Sequence, residues 1–503
     1  MKRTVFALLV LCAAVVASAA SSGVYLPTPV SVASGPSPFA PGCEGVPQSG
    51  TLYENAEVEP RVAVDPTNPS HIVGAWQQDR WSNGGAHGLV ASTSFDGGAS
   101  WTRSFAHFSI CASGTVANGG DFQRASDPWV TFSPNGTVHQ IALSFNGTNA
   151  DNAILASKSP DGIVWSEPAT LQRENTGSGS LFVDKESITA DPFDSNFVYA
   201  VWDRSTFPSD SVSLAALCCT FALRSQTVFA RTTDGGTSWE PARPIFERLG
   251  GIAFTIGNQI AVVPTVTAVP TLVNAMFLFR GSGVQQSCCD VAVLRSPDRG
   301  VSWSGPIKVS DVDTVGVFDP DNGHGVRTGD IIPDIAAGVT AGRVYAVWQD
   351  GSFSGPPRSK EHAGIAFSQS LDGGRTWSKK IEINQVPATQ AFTPSIAVAA
   401  DGTVGVTYYD FRNNTSAPGL TTDYWFVHCH PATQDCTSPS SWATETHVAG
   451  PFDMETAPNA RGYFVGDYEG LARAGSSFVA FFAMANDGNV GNRTDIFAST
   501  LNP

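Results

Sequence analysis

The chain has 503 residues, a formal net charge of −16 and only 15% charged residues, alongside 49 glycines and 33 prolines. An acidic surface with no basic run excludes nucleic acid as a partner, since a polyanion would meet like charge. Abundant turn formers with few charges suit a turn-rich secreted β protein.

The chain opens with Met1-Lys2-Arg3, an apolar run over residues 4–16 and the small residues Ala17-Ser18-Ala19. This order reads as a secretory signal over residues 1–19, too short to span a bilayer as a mature helix. Cys12 follows Leu11 rather than Gly or Ala, which argues against a lipid anchor. No later segment has the length and apolarity of a membrane span. Residues 20–50 are rich in Pro, Ser and Gly and form a linker, with a strand-like run at residues 30–33 available to close whatever follows.

From residue 51 to 503 one short phrase recurs. It reads SFDGGASW at residues 94–101, SPDGIVW at 159–165, TTDGGTSW at 232–239, SPDRGVSW at 296–303 and SLDGGRTW at 370–377. Each copy has a hydroxyl residue, an Asp two places on, Gly and a closing Trp. The carboxylates of Asp96, Asp161, Asp234, Asp298 and Asp372 can accept N–H bonds inside the turn, Gly supplies positive φ, and the indole packs beneath. Four copies share one spacing and the second is one residue shorter.

Each repeat begins with an alternating apolar strand and continues through a second, more apolar strand ending in an aromatic, the clearest second strands being residues 71–76, 198–202, 344–348 and 403–409, with VYAVW occurring twice. Four antiparallel strands per repeat predict an all-β fold, a β-propeller of four-stranded blades. Repeat length favours seven blades, with six the alternative. Residues 392–450 read as a further unit in which Ser441-Trp442 stands for a decayed turn. Residues 461–501 supply three strands, leaving the fourth to the N-terminal segment.

Eight cysteines remain after the leader, an even number that favours disulfides in an exported chain. Cys429 and Cys436 flank a short loop and are expected to pair. A staple between Cys218/Cys219 and Cys288/Cys289 leaves Cys43 with Cys111. Zinc at the vicinal pairs is disfavoured by their spacing. No cofactor is expected; residues 311–330 concentrate oxygen ligands and could hold calcium, but they lack the spacing of an EF-hand loop, and an ordinary polar loop is the favoured reading.

The five turns resemble the Asp-boxes, or BNR repeats, of the sialidase superfamily, and the resemblance covers nearly the whole mature chain. It implies a secreted, monomeric glycan-active propeller whose boxes sit on the outer rim while chemistry occupies the hub. A sialidase holds its substrate's carboxylate with three arginines. Arg61 takes the first position, although Val62-Ala63 replaces the family's Ile-Pro, and Arg80 takes the second. Arg204, Arg327 and Arg412 are candidates for the third, and an exposed ion pair or loop brace is the plain alternative for each.

The same resemblance implies a tyrosine nucleophile in the last unit, Tyr468, with Glu186 as its helper. Glu469 would face the other way along the strand. Asp79 or Asp127 would be the acid. Exo-α-sialidase is thus the most concrete expectation. A non-catalytic glycan- or protein-binding propeller and a polysaccharide lyase are the alternatives.

Overall fold

The computed structural model describes residues 23–174, 181–206, 224–247, 252–281, 289–354 and 362–503, and no α-helix occurs among them. The expected signal sequence and Cys218, Cys219 and Cys288 lie outside the described residues.

Antiparallel strands follow one another in fours. Leu52–Asp65, Asn68–Trp81, Ala86–Ser94 and Thr102–Ser104 pair in chain order. The same order holds for Arg124–Phe132, Val138–Phe145, Asn152–Ser159 and Ala169–Glu174. It recurs in sheets that begin with Leu181–Ala190, Ile252–Val263, Asp334–Ala337 and Ala391–Val398. Gly470–Ala474, Ser477–Ala485 and Thr494–Asn502 form the last sheet, to which Leu26–Pro27 and Ser31–Val32 add an outer strand. The first strand of each sheet packs against the first strand of the next, and Gly470–Ala474 packs against Leu52–Asp65.

Because the sheets stack face to face, their middle strands are covered on both sides. That is why VYAVW and its relatives read as continuous apolar runs rather than alternating ones. Trp202 and Trp348 are both fully buried, in one cluster with Ile141, Ile154, Val228 and Val293.

The Asp turns are bonded as their residue types require. Asp96 Oδ1 accepts the Ser100 N–H at 2.8 Å, and the Ser94 hydroxyl accepts the Gly98 N–H at 2.8 Å. Asp234, Asp298 and Asp372 repeat the pattern with Ser238, Ser302 and Thr376 at 2.9 Å. In the shorter copy Asp161 takes the N–H groups of Ile163 and Val164. The Trp101 indole donates to Ser31, so this turn also fastens the N-terminal segment.

Ser441-Trp442 differs from expectation. With no Asp to organise a turn, residues Pro439–Trp442 wind into a 3-10 helix, and the buried indole donates to the Cys436 carbonyl. Disulfides join Cys43 to Cys111 and Cys429 to Cys436. Cys289 is also disulfide-bonded. No helix of the described residues is long and apolar enough to cross a membrane. Within residues 311–330 a short hairpin pairs Val317–Phe318 with Gly325–Val326, and Asp319 accepts bonds from its own loop, at Asp321 N and Asn322 Nδ2.

Candidate active site at the hub

The first strands carry a repeated fault. Their pairing registers shift between Val58 and Arg61, Ser126 and Trp129, Asp184 and Ser187, Ile256 and Gln259, and Phe392 and Ser395. At each shift one residue has left-handed backbone: Glu59, Asp127, Lys185, Gly257 and Thr393. Such a bulge takes its residue out of the ladder and re-aims the side chain. Pro60, Pro128 and Pro394 follow three of these residues, and a proline there gives up no ladder bond, having no N–H to donate. Left-handed non-glycine residues are strained, and at Glu59, Asp127 and Lys185 the strained positions carry the charged side chains that meet one another.

Lys185 Nζ is the centre of the result. It lies 2.8 Å from Asp127 Oδ1, 3.0 Å from Asp467 Oδ2 and 3.2 Å from Glu59 Oε1. Arg327 grips Asp467 with a two-pronged bond, Nε at 3.0 Å and Nη2 at 2.6 Å. Gln77 donates to the other oxygen of Glu59. A Cβ on Gly329 would overlap the Asp467 carbonyl, so that position admits only glycine. The network meets solvent through its cations: side-chain exposure is 25% at Arg327 and 11% at Lys185, against 1% at Glu59.

Burial and neighbours drive these groups apart. Burial pushes the Glu59 carboxyl up to about 7, with Lys185 pulling against it and Asp127 adding to it. Burial alone would raise Asp467 too, but Arg327 and Lys185 hold it well below the ordinary carboxylate range. Burial raises Asp127, and it raises Asp330 to about 6 with help from Asp467. The facing carboxylates overcome burial at Lys185 and hold its ammonium charged.

Tyr468 and Glu186 are buried at the same hub. Burial, then Glu59, Asp127 and Glu186, push the phenol far above its usual value, and burial followed by Asp127 does the same to Glu186. Neither the Tyr468 hydroxyl nor either Glu186 oxygen has a hydrogen-bond partner among the described residues. Glu469 faces away from Tyr468 and accepts the Ala483 N–H.

The arginines separate into three groups. Arg61 stacks 3.5 Å over Trp129, lies 4.9 Å from the Tyr468 ring and pairs with Asp334 at 3.3 Å. It lines an axial cavity of about 550 Å³ that runs towards the Asp-turn end, with Trp129, Gln259 and Asp334 beside it. Arg327 and Arg80 both stack on Phe464, and Arg80 donates to the Gly85 carbonyl. Burial and the charge of Arg327 bring Arg80 down to about 10.

Arg204 and Arg412 are placed elsewhere. Arg204 is held by Glu174 and Gln226, and Arg412 by Asp410 and Glu445 over the Trp425 ring. Both sit on the second strands or just beyond them, where they brace neighbouring strands. Asp79 is also outside the hub: it accepts from Ser37, the Asn55 N–H and His87.

Glu59, Lys185, Asp467 and Asp334 were not among the residues singled out from the sequence. A signal for the first existed in the X-Pro-X triplets Glu59-Pro60-Arg61, Asp127-Pro128-Trp129 and Thr393-Pro394-Ser395, since proline inside a strand implies a bulge.

No family model matches the chain, and no curated protein matches it. Solved structures to which it is similar include a Hadza microbial sialidase, at 12% identity and TM-score 0.47 over 95% of this chain and 92% of that one. The leech intramolecular trans-sialidase complexed with 2,7-anhydro-Neu5Ac is similar at 11% identity and TM-score 0.45, over 90% and 93%. The α-L-arabinofuranosidase of Fusarium graminearum with arabinobiose is similar at 13% identity and TM-score 0.44, over 75% and 92%.

Proposed function

We propose that this protein is an exported glycoside hydrolase on a seven-bladed propeller, working through carboxylates on the hub face away from the Asp turns. The blade number is supported by the succession of first strands, each packed on the next, that returns from Gly470–Ala474 to Leu52–Asp65. Export is supported by the disulfides at Cys43–Cys111 and Cys429–Cys436.

The observation that carries the chemistry is one ammonium shared by Glu59 and Asp467. Two titratable groups pushed in opposite directions supply an acid and a base at one pH. Glu59, held near 7, is the proton donor to the leaving glycosidic oxygen, and the ionised Asp467 is its partner across the sugar. Oxygens at 3.2 and 3.0 Å from one nitrogen cannot be more than about 6 Å apart, nearer the spacing of a retaining than of an inverting pair. Arg327 and Lys185 keep Asp467 charged while Glu59 cycles its proton.

A second reading, exo-α-sialidase, is favoured by the Tyr468 hydroxyl, which has no partner among the described residues and feels the charge of Glu186. There Tyr468 attacks the anomeric carbon with Glu186 as base, Asp127 is the acid, and Arg61, Arg80 and Arg327 face the sugar carboxylate. This reading requires Arg61 and Arg327 to leave Asp334 and Asp467, which the first does not.

The deciding experiment is a panel of fluorogenic glycosides, with a sialoside and an α-L-arabinofuranoside among them, assayed on the whole protein and on Glu59→Gln, Asp467→Asn and Tyr468→Phe. Loss of turnover in Glu59→Gln with activity retained in Tyr468→Phe supports the carboxylate mechanism. Loss in Tyr468→Phe on a sialoside favours the second reading. Glycan binding without turnover of any substrate overturns both in favour of a recognition propeller.

A further inference from the structure

A second cluster lies far from the hub chemistry, where residues 34–50 fold across the first sheet. Four side chains from three parts of the chain meet there: Cys43 and its neighbour Glu44, His87 and Cys111. One ligand atom from each, counting both sulfurs, a carboxylate oxygen and a ring nitrogen, lies within 4.8 Å of all the others. Ligand atoms about 2.0–2.3 Å from a shared zinc ion sit within about 4 Å of one another, so the set is near the spacing of a tetrahedral site.

The histidine is prepared for such a role. Its Nδ1 lies 2.9 Å from Asp79 Oδ2, which puts a proton on Nδ1 and leaves Nε2 as the nitrogen that faces Glu44. Asp79 is itself fixed by the Asn55 N–H and the Ser37 hydroxyl. His87 Nε2 and Glu44 Oε1 stand 2.8 Å apart, yet neither makes a hydrogen bond among the described residues. Both side chains are almost fully buried, His87 at 1% and Glu44 at 3% exposure. A buried ring nitrogen and carboxylate oxygen this close need a proton or a cation between them, and with both sulfurs reduced to thiolates a divalent cation can take the proton's place.

In the structure Cys43 and Cys111 are joined as a disulfide. Every cysteine is a thiol when the chain is made, and disulfides form in an oxidising compartment. We propose that the dithiol form of this chain binds one zinc ion through Cys43, Cys111, His87 and Glu44, and that forming the Cys43–Cys111 disulfide expels it. Binding releases the two thiol protons and leaves a Cys2HisGlu site. For release, a partner disulfide accepts two electrons from the two thiolates. The Cys43–Cys111 S–S bond forms, the partner's S–S bond breaks, and the partner's two thiolates take up two protons. Reduction by a dithiol reverses these steps. The ion would thus pin residues 34–50 to the first sheet before the covalent link does.

The test uses the full chain, reduced with a non-chelating phosphine and freed of metal, titrated with cobalt(II) as the probe and then with zinc. One cobalt per chain is expected, with a thiolate-to-metal charge-transfer band and intense tetrahedral d–d bands that zinc abolishes. Other reduced cysteines are controlled by the Cys43→Ser/Cys111→Ser double variant, which must lose the signal. Asp79→Asn should weaken zinc binding roughly 10- to 100-fold, through the orientation of His87. His87→Ala and the shape-preserving Glu44→Gln, which alter ligands directly, should each weaken it at least as much. Reoxidised protein should release its zinc to a chelator dye. Persistence of the charge-transfer band in the double-serine variant, equal affinity in His87→Ala and Glu44→Gln, or zinc retained after reoxidation would each overturn the proposal. So would a reduced chain with native far-ultraviolet circular dichroism and no bound metal.

Discussion

Lys185 Nζ stands 3.0 Å from Asp467 Oδ2 across 282 residues of chain, and the contact ties the sheet begun by Leu181–Ala190 to the closing one. Removing the ammonium would leave Glu59, Asp127 and Asp467 facing one another in a buried space. A buried pair broken on one side costs about 3–5 kcal/mol. Lys185→Met should therefore lower the urea midpoint substantially at pH 8 and lose part of that effect at pH 5, where Glu59 carries a proton. An unchanged midpoint at both pH values would mean the three carboxylates are not held together by this cation.

Glu59 makes stability depend on pH in the sense opposite to an ordinary carboxylate. Its unfolded value is 4.5 and its folded value about 7. Between those values the folded protein holds a proton that the unfolded chain has lost, so stability falls as pH rises and the loss is complete above about 7. The change is on the order of 3 kcal/mol. Asp467 has the ordinary sign, its contribution disappearing only in strong acid. Glu59→Gln should flatten the urea-derived stability between pH 5 and 8. In the carboxylate mechanism the wild type's kcat/KM should also decline above about pH 7, where the donor has lost its proton.

The rim of the molecule was far more legible than its hub. Asp96, Asp161, Asp234, Asp298 and Asp372 act within a few residues of themselves, so residue type and spacing suffice to write their hydrogen bonds. The second strands were equally plain, because stacking on both faces leaves a continuous apolar run such as Val198–Trp202. Hub residues act across the ring instead. Arg61 meets Asp334 273 residues away and Arg327 meets Asp467 140 residues away, and no local spacing encodes which carboxylate a guanidinium will find. Asp-Arg neighbours after a second strand looked alike in sequence, yet Arg80 lies near the hub while Arg204 ends in a brace with Glu174. Lys185 was invisible because charge in a strand reads as a solvated face until the bulge turns it inward.

The turn hydroxyls offer a local test of the rim. Ser370 is buried, donates to Asp372 at 2.8 Å and accepts the Gly374 N–H at 2.8 Å. Ser370→Ala leaves that N–H without a partner and should cost about 1–2 kcal/mol. If the proposed function holds, kcat/KM should stay within about twofold, because the turn is on the outer edge of its sheet and acts on folding alone. A variant with wild-type thermal stability would show that water replaces the hydroxyl at no cost.

The arginines can be sorted by kinetics. Arg204→Gln removes a brace between Glu174 and Gln226, which predicts a small stability loss and little change in kcat/KM. Arg327→Gln removes both prongs from Asp467 and lets its carboxylate rise towards the ordinary range. Its kcat/KM should fall by roughly two orders of magnitude or more, with the acidic limb of the pH profile moved to higher pH. Equal activity in the two variants would remove Asp467 from the chemistry.

Tyr468 separates chemistry from architecture most sharply. Its ring lies below the Arg61 guanidinium at 4.9 Å and the Lys185 ammonium at 5.4 Å, while its hydroxyl is buried with no partner among the described residues. Tyr468→Phe keeps the ring and both cation contacts and deletes only a desolvated hydroxyl, which in a buried site is neutral or stabilising by about 1 kcal/mol. The variant should therefore melt at or slightly above the wild-type temperature. Its activity then has one meaning: turnover retained assigns the reaction to Glu59 and Asp467, whereas turnover lost from a fully stable protein assigns it to the phenol. A variant that unfolds would instead show that the hydroxyl is bonded in solution, through water or a substrate-sized ligand at the hub.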